Sequence, residues 1–272
     1  MVRHSTYCHD PARLSASAAI EQLRLSMSGE VLYLHRGWGS LVAALQTAAV
    51  KRGTAIITKS RVVEVNVTAD CASSVMLASG VSIPAEAVIV ATAPRVAREL
   101  LRPRIDAVST TEVRVASLDL ALRALPRKRT VFALGIDEPW SFCVDSLIAD
   151  VAPDGRAVVH LVKYLRSGAI GTPADEAHLD GVLDLLQPGW RRDVVYRRFV
   201  PTMPVAHAMV AADTGGFTGR PSGRLAGMKN VFLAGDWVGP VGQLADASIA
   251  SAVAAARAAA RTISGSAIDA AQ

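Results

Sequence analysis

The stretch NVFLAGDWVGPVGQLADASIASAVAAA, Asn230 to Ala256, places a carboxylate where a ligand could use it. A short apolar run ends at Gly235 and Asp236. A loop broken by Gly239, Pro240 and Gly242 then leads into an alanine-rich helix. An aspartate at the carboxyl end of a parallel strand lies on the sheet edge where α/β folds bind ligands. Its oxygens accept hydrogen bonds from sugar-like hydroxyls, and glycines beside it let backbone approach a ligand closely. The helix, expected from about Asp246, points free N–H groups and a partial positive charge back at the corner. A purely structural reading stays open. Asp246 or Ser248 would then be an N-cap, and the Asp–Gly loop a turn.

Few other residues offer chemistry. The histidines His4, His9, His35, His160, His178 and His207 show no metal-ligand spacing, so no metal site is expected. Cys8, Cys71 and Cys143 are widely spaced and form no CxxC pair, which speaks against a disulfide framework or a structural zinc. Lys163 in HLVKYL alternates with apolar neighbours and reads as an outward-facing strand lysine. Trp237 suits a ligand wall and a core equally. No residue stands out as catalytic, and that role is left unassigned.

The elements around these residues change character along the chain. LSASAAIEQLRLSM predicts a helix capped by Ser15 or Ser17, and SLVAALQTAAVKRG another, capped by Ser40 and stopped by Gly53. TAIIT and RVVEVNV read as strands, and SSVMLASG as a strand running into a turn. AEAVIVATAP is wholly apolar, the mark of a buried parallel strand, and PRVARELL restarts helix. From Ile105 to Arg220 long strand candidates recur (TEVRVASLDLAL, TVFALGI, SFCVDSLI, RAVVHLVKYL, DVVYRRFV) around one helix, TPADEAHLDGVLDLLQPG. Thr172 would cap that helix, with Pro173 its first residue and Asp175 in its first turn. The flanks therefore read as α/β and the middle as an antiparallel α+β region inserted between them.

Composition bounds the rest. With 272 residues, 51% of them hydrophobic, the chain has ample core material. A net charge of +5 is a mild excess. Its basic clusters, RALPRKR (123–129) and RRDVVYRR (191–198), lack the aromatic interleaving of a nucleic-acid platform, so no nucleic-acid partner is expected. No run of about 18 apolar residues exists, so no transmembrane segment is expected. Cysteine usage favours the cytoplasm, with peripheral membrane contact left open.

Asn230–Ala256 resembles the C-terminal flavin-binding segment of FAD-dependent oxidoreductases of the amine-oxidase and phytoene-desaturase-like family. YLHRGWGSLVAALQTAAVKRGTAIITKSRVVEV and AEAVIVATAP are similar to two further segments of that family, in the same order. The resemblance implies FAD as cofactor. It implies that Gly235 and Asp236 lie by the ribityl and pyrophosphate, that Leu244, Ala245 and Ser248 lie where the last helix starts under the flavin, and that Val62 meets the adenine end. It also sets His207 on the substrate side of the flavin, the alternative being a satisfied loop histidine. Family amine oxidases hold a water on a lysine near the flavin, and Lys163 does not align clearly with it.

The family opens with strand–GxGxxG–helix, and no GxGxxG occurs here; GWGSLV (37–42) has valine in the third place. The chain is therefore expected to begin at the middle of the family pattern, with a separate chain supplying the N-terminal dinucleotide-binding half. The expected fold is α/β plus α+β, an incomplete Rossmann-like FAD-binding domain with an inserted antiparallel-sheet substrate domain. The expected boundaries are a helical segment of the substrate domain at 1–35, FAD-domain part at 36–103, substrate domain at 104–222, and C-terminal FAD-domain part at 223–272. The resemblance implies a flavin-dependent oxidoreductase that dehydrogenates a C–N or C–C bond of a small substrate. The apolar strands of the middle region suit a hydrophobic one. A non-catalytic partner subunit, or an inert remnant of a split flavoenzyme gene, is the alternative.

Overall fold

The computed structural model describes residues 2–28, 31–102, 104–105, 110–153 and 155–269. The chain divides into two compact units. One joins Met1–Ile56 to Val113–Val205, and the other joins Ile57–Glu112 to Ala206–Gln272. The architecture is mixed α and β, with antiparallel sheets in both units.

The first unit is built on a five-stranded sheet of order β6-β7-β8-β5-β9. Its strands are β5 (Val113–Leu122), β6 (Phe132–Leu134), β7 (Trp140–Val144), β8 (Ala157–Tyr164) and β9 (Val194–Ala206). β5, β7 and β8 obey the period of two, with Leu118, Leu120, Leu122, Phe142, Val144, Val159 and Leu161 all buried. That face packs on α5 (Pro173–Leu186) through Leu179, Val182 and Leu183. α5 starts where its residues direct. The Thr172 hydroxyl accepts from the Asp175 N–H, and the Asp175 carboxylate accepts from the Thr172 N–H at 2.7 Å, a complete capping box. The Lys163 ammonium donates to that same carboxylate at 2.6 Å, so the strand lysine is tied to the helix start. Burial works against the charge on Asp175, and the bonds from Lys163 and Thr172 outweigh it, holding its carboxyl below the usual range.

The same unit carries α1 (Val2–Thr6), α2 (Ala16–Met27) and α3 (Trp38–Lys51). Ser15 occupies the N-cap position of α2, yet its hydroxyl bonds Ser17 and does not cap. α3 begins two residues before the Ser40 expected to cap it, because Gly37 takes a left-handed φ of 70° and starts the helix there. The Ser40 hydroxyl then donates back to the Gly37 carbonyl at 2.8 Å. Residues 54–58, expected as a strand, form no regular element. No α3 residue is buried, and Trp38, Val42, Leu45 and Val50 are exposed.

In the second unit β1 (Val62–Thr68), β2 (Cys71–Leu77) and β3 (Ser82–Pro84) form an antiparallel sheet. β4 (Val88–Val90) pairs in parallel with β10 (Val231–Leu233). α4 (Pro94–Leu101) and α6 (Leu244–Asp269) complete it. Val65, Val88, Val90, Ala97, Leu101, Val231, Leu233 and Trp237 share one core. Phe232 and Ala234 face the alanines Ala255, Ala258 and Ala259 of α6. The Asn230 side chain joins the two sheets, donating to the carbonyls of Ala72 and Glu86, both at 2.8 Å, and accepting from the Ala72 N–H at 2.7 Å.

Thr172→Ala should lower stability by about 1 kcal/mol, read as a lower urea midpoint at unchanged slope. Asp175→Ala should cost more, since it also strands Lys163 without its partner.

Candidate functional site

The corner singled out in the sequence lies within the second unit. β10 ends at Leu233 and the chain turns at Gly235, whose φ of 152° favours glycine. A Cβ there would lie 2.7 Å from Trp237 Nε1, so the turn is closed to other residues. Trp237 itself is core, buried to 1% exposure, with its indole N–H donating to the Thr92 carbonyl at 2.9 Å. Gly242 has a φ of 63°, and a Cβ there would meet Asp246 Cβ at 2.6 Å. α6 begins at Leu244, two residues ahead of Asp246, which lies in its first turn. The Asp246 and Ala247 N–H groups donate to the Gln243 carbonyl at 3.1 and 3.4 Å, and those of Leu244 and Ala245 stand at the helix start, where backbone donors lack an intrahelical partner.

Two residues that the corner depends on were not visible in the sequence. Ser251, one turn into α6 beyond Ser248, accepts from the Gly235 N–H and donates to the Gly235 carbonyl, both at 3.0 Å. Arg220, only 8% exposed, donates to the Asp236 carbonyl at 3.0 Å and to the Gly242 carbonyl at 2.7 Å. Its guanidinium stacks over Phe217 at 5.2 Å. One buried cation thus holds both ends of the glycine loop.

His207 and Asp236, marked separately in the sequence, are in direct contact across 29 residues. The His207 backbone N–H donates to Asp236 Oδ2 at 2.8 Å, and His207 Nδ1 sits 2.9 Å from Oδ1. The contact leaves Nε2 as the free edge of a ring whose side chain is 31% exposed. Ser248 donates its hydroxyl to the Leu244 carbonyl at 3.0 Å, inside the helix. Leu244 and Ala245 are half-buried. Val62 lies apart, at the start of β1, paired with Leu77 in the other sheet of the unit.

A second polar cluster lies on the sheet of the first unit, on the face turned away from α5. Asp119, His160 and Cys143 form one row across β5, β8 and β7. His160 Nδ1 is 2.8 Å from Asp119 Oδ1, and Nε2 is 3.4 Å from Asp145 Oδ2. The Asp119 bond, helped by Asp145 and opposed by burial, raises the His160 pKa. Burial first, and then hydrogen bonding with Asp145, push the Cys143 thiol up to about 12, so it carries no thiolate at neutral pH. Among the described residues no group of three or more histidines, cysteines and carboxylates could hold a metal ion. No described helix is long and apolar enough to cross a membrane.

The antiparallel sheet with its helix, the parallel pair ending in Gly–Asp, and the closing helix make up a mixed α and β architecture. A family model for flavin containing amine oxidoreductases matches residues 4–264, and the chain belongs to that family. No match is found among curated proteins. Solved structures show the fold. An oxidoreductase from Methanosarcina mazei matches with a TM-score of 0.58 at 15% identity, over 81% of this chain and 54% of that one. A protein from Pyrococcus furiosus matches with a TM-score of 0.53 at 12% identity, over 85% and 53%. Glycine oxidase from Bacillus cereus matches with a TM-score of 0.51 at 13% identity, over 80% and 54%. The chain thus spans little more than half the length of each.

Arg220→Met should lower stability by about 2 kcal/mol, because two carbonyls lose a charged donor in a buried place. Faster hydrogen exchange confined to residues 235–247 would identify the loop as the part released. For His160, whose folded pKa is raised, the contribution to stability is complete below about pH 6.5 and is lost as pH rises through the folded value. Urea unfolding at a series of pH values should therefore show the gap between wild type and His160→Gln closing on the alkaline side.

Proposed function

We propose that this chain is the C-terminal portion of an FAD-dependent oxidoreductase that dehydrogenates a C–N or C–C bond. In this reading the second unit supplies one side of the cofactor site, and the dinucleotide-binding half comes from elsewhere. The single observation that carries it is the corner itself, where a parallel strand, a glycine loop and a helix start converge on Asp236 and His207. The residues fit a flavin in chemical type. The α6 start offers backbone donors, Gly239 has open space where a Cβ would stand, and the His207 ring presents one nitrogen. A flavin held here would supply the hydride acceptor, which would leave orientation and electrostatics to the protein.

The residues divide that work. Arg220 and Ser251 hold the loop and strand end in place, so that the corner is formed before a ligand arrives. Asp236 fixes the orientation of the His207 ring, which then offers Nε2 to a substrate or to the cofactor edge. Gly235, Leu244, Ala245 and Ser248 provide backbone and small surface beneath a ring. Val62 would serve the adenine end through its backbone. The apolar strands of the first unit suit a small hydrophobic substrate.

A second reading is a non-catalytic partner or an inert remnant. One observation favours it: both Asp236 oxygens are already taken by His207, and a sugar hydroxyl would have to share or displace those bonds.

The test is uptake of flavin. The isolated chain, mixed with FAD and desalted, should retain substoichiometric flavin by its visible absorbance. Joined to a polypeptide carrying strand–GxGxxG–helix, it should retain flavin near one to one. Asp236→Ala should abolish that retention while leaving circular dichroism unchanged. Full retention in Asp236→Ala would refute the assignment of this corner to the cofactor.

A further inference from the structure

The basic cluster RALPRKR plays no part in the flavin corner, yet its one lysine, Lys128, lines a cavity in the first unit. This cavity, about 580 Å³, lies between the turn after β5 and the segment joining β7 to β8. That volume is in the range of small-molecule sites. Its floor is apolar: Leu125, Ala149 and Ala157 line it and are all buried. Lys128 from one wall and Arg156 from the other complete the lining, with His35 beside them and Asp150 the one carboxylate among the described lining residues. Neither Lys128 nor Arg156 has an ion pair among the described residues. Lys163 and Arg197 of the same unit are matched, Lys163 to Asp175 and Arg197 to Glu176 and Asp180.

The walls are held by buried and backbone bonds. Gln187, fully buried, donates to the carbonyls of Arg127 at 3.2 Å and Thr130 at 2.8 Å and accepts from the Arg127 N–H at 2.8 Å. This fixes the turn that carries Lys128. Opposite, the Asp150 N–H donates to His35 Nδ1 at 3.1 Å, and the Arg36 N–H to the Asp150 carbonyl at 2.6 Å. The Asp150 backbone and the His35 acceptor are thereby used internally. What remains for a visitor is an apolar floor, two cations without an ion pair among the described residues, and the single carboxylate of Asp150. At the same cavity Leu147 and Ile148 are 59% and 50% exposed.

We propose that this cavity binds an amphiphile with one anionic head, a phosphate or carboxylate, its apolar part lying on Leu125, Ala149 and Ala157 and its head between Lys128 and Arg156. The physical reason is complementarity. Lys128 and Arg156, set against the one carboxylate of Asp150 beside a concave apolar surface, favour a ligand that brings both a negative charge and apolar area. Such a head occurs on a membrane lipid and on a free acyl or alkyl metabolite. The inference does not rest on the flavin reading, and its test needs no flavin.

The probes are dodecyl phosphate below its micelle concentration, dodecyl maltoside as the uncharged-head control, and vesicles of phosphatidylcholine with and without phosphatidylglycerol. Calorimetry should show one dodecyl phosphate bound per chain, and weaker binding of the maltoside. Lys128→Glu/Arg156→Glu should weaken dodecyl phosphate about tenfold or more, on the scale of roughly a factor of five per basic residue near an anionic surface. Lys128→Arg/Arg156→Lys should retain it, and Ala149→Phe, which fills the floor, should remove it at unchanged helix content. Binding to the soluble probe together with sedimentation on anionic vesicles identifies a membrane headgroup. Binding to the soluble probe without sedimentation identifies a free amphiphile. No binding of dodecyl phosphate, equal binding of the maltoside, or indifference to the double charge reversal would each overturn the proposal, as would sedimentation on vesicles alone.

Discussion

The candidate corner hangs on a parallel sheet of two three-residue strands, β4 and β10. So small a parallel pair cannot be stable alone, because parallel strands need cover on their faces and more neighbours than one. The cover comes from α6. Its alanines Ala255, Ala258 and Ala259 bring the helix backbone close to Phe232 and Ala234, which are buried to 0% and 3% exposure. Larger side chains would hold helix and strand apart, and Ser251 could not then reach Gly235. The alanine-rich composition of α6 is therefore a requirement of the corner.

From that contact the positions of the site residues follow. Ser251 fixes the strand end and Arg220 the loop, which holds the Asp236 carboxylate against His207. Asp236 is 13% exposed at its side chain, so its carboxylate needs donors, and it takes both from residue 207. A carboxylate so engaged orients a histidine before it serves any ligand. The functional weight of the corner thereby moves toward the His207 ring.

Much of this was legible in the residues, and the division between what was and what was not has a physical cause. The Thr172–Pro173–Asp175 start of α5 could be read because a capping box is satisfied within four residues. The apolar run 88–90 could be read because a two-sided buried strand has no polar alternation. Ser40 misled because the start of α3 is set by the backbone of Gly37, and TAIIT because β-branched composition without a partner strand makes no ladder. Arg220, Ser251 and the pairing of His207 with Asp236 are contacts across 16, 16 and 29 positions. Nothing local to an arginine before a proline, or to one more serine in an alanine helix, distinguishes it from a surface residue.

α3 bears on the proposed function from a different side. It is 14 residues long, carries Lys51 as its only charged residue, and has none of its residues buried. A helix of this length is marginal in water by itself and takes most of its stability from a packed face. Its sequence supplies such a face in abundance and the first unit does not use it. Exposed apolar area of this kind is more than a monomer surface commonly leaves open. A second copy of this chain laid antiparallel along α3 would set His35 and Arg36 against Lys51 and Arg52, like charges at both ends. α3 is thus a described helix whose apolar residues the first unit leaves uncovered.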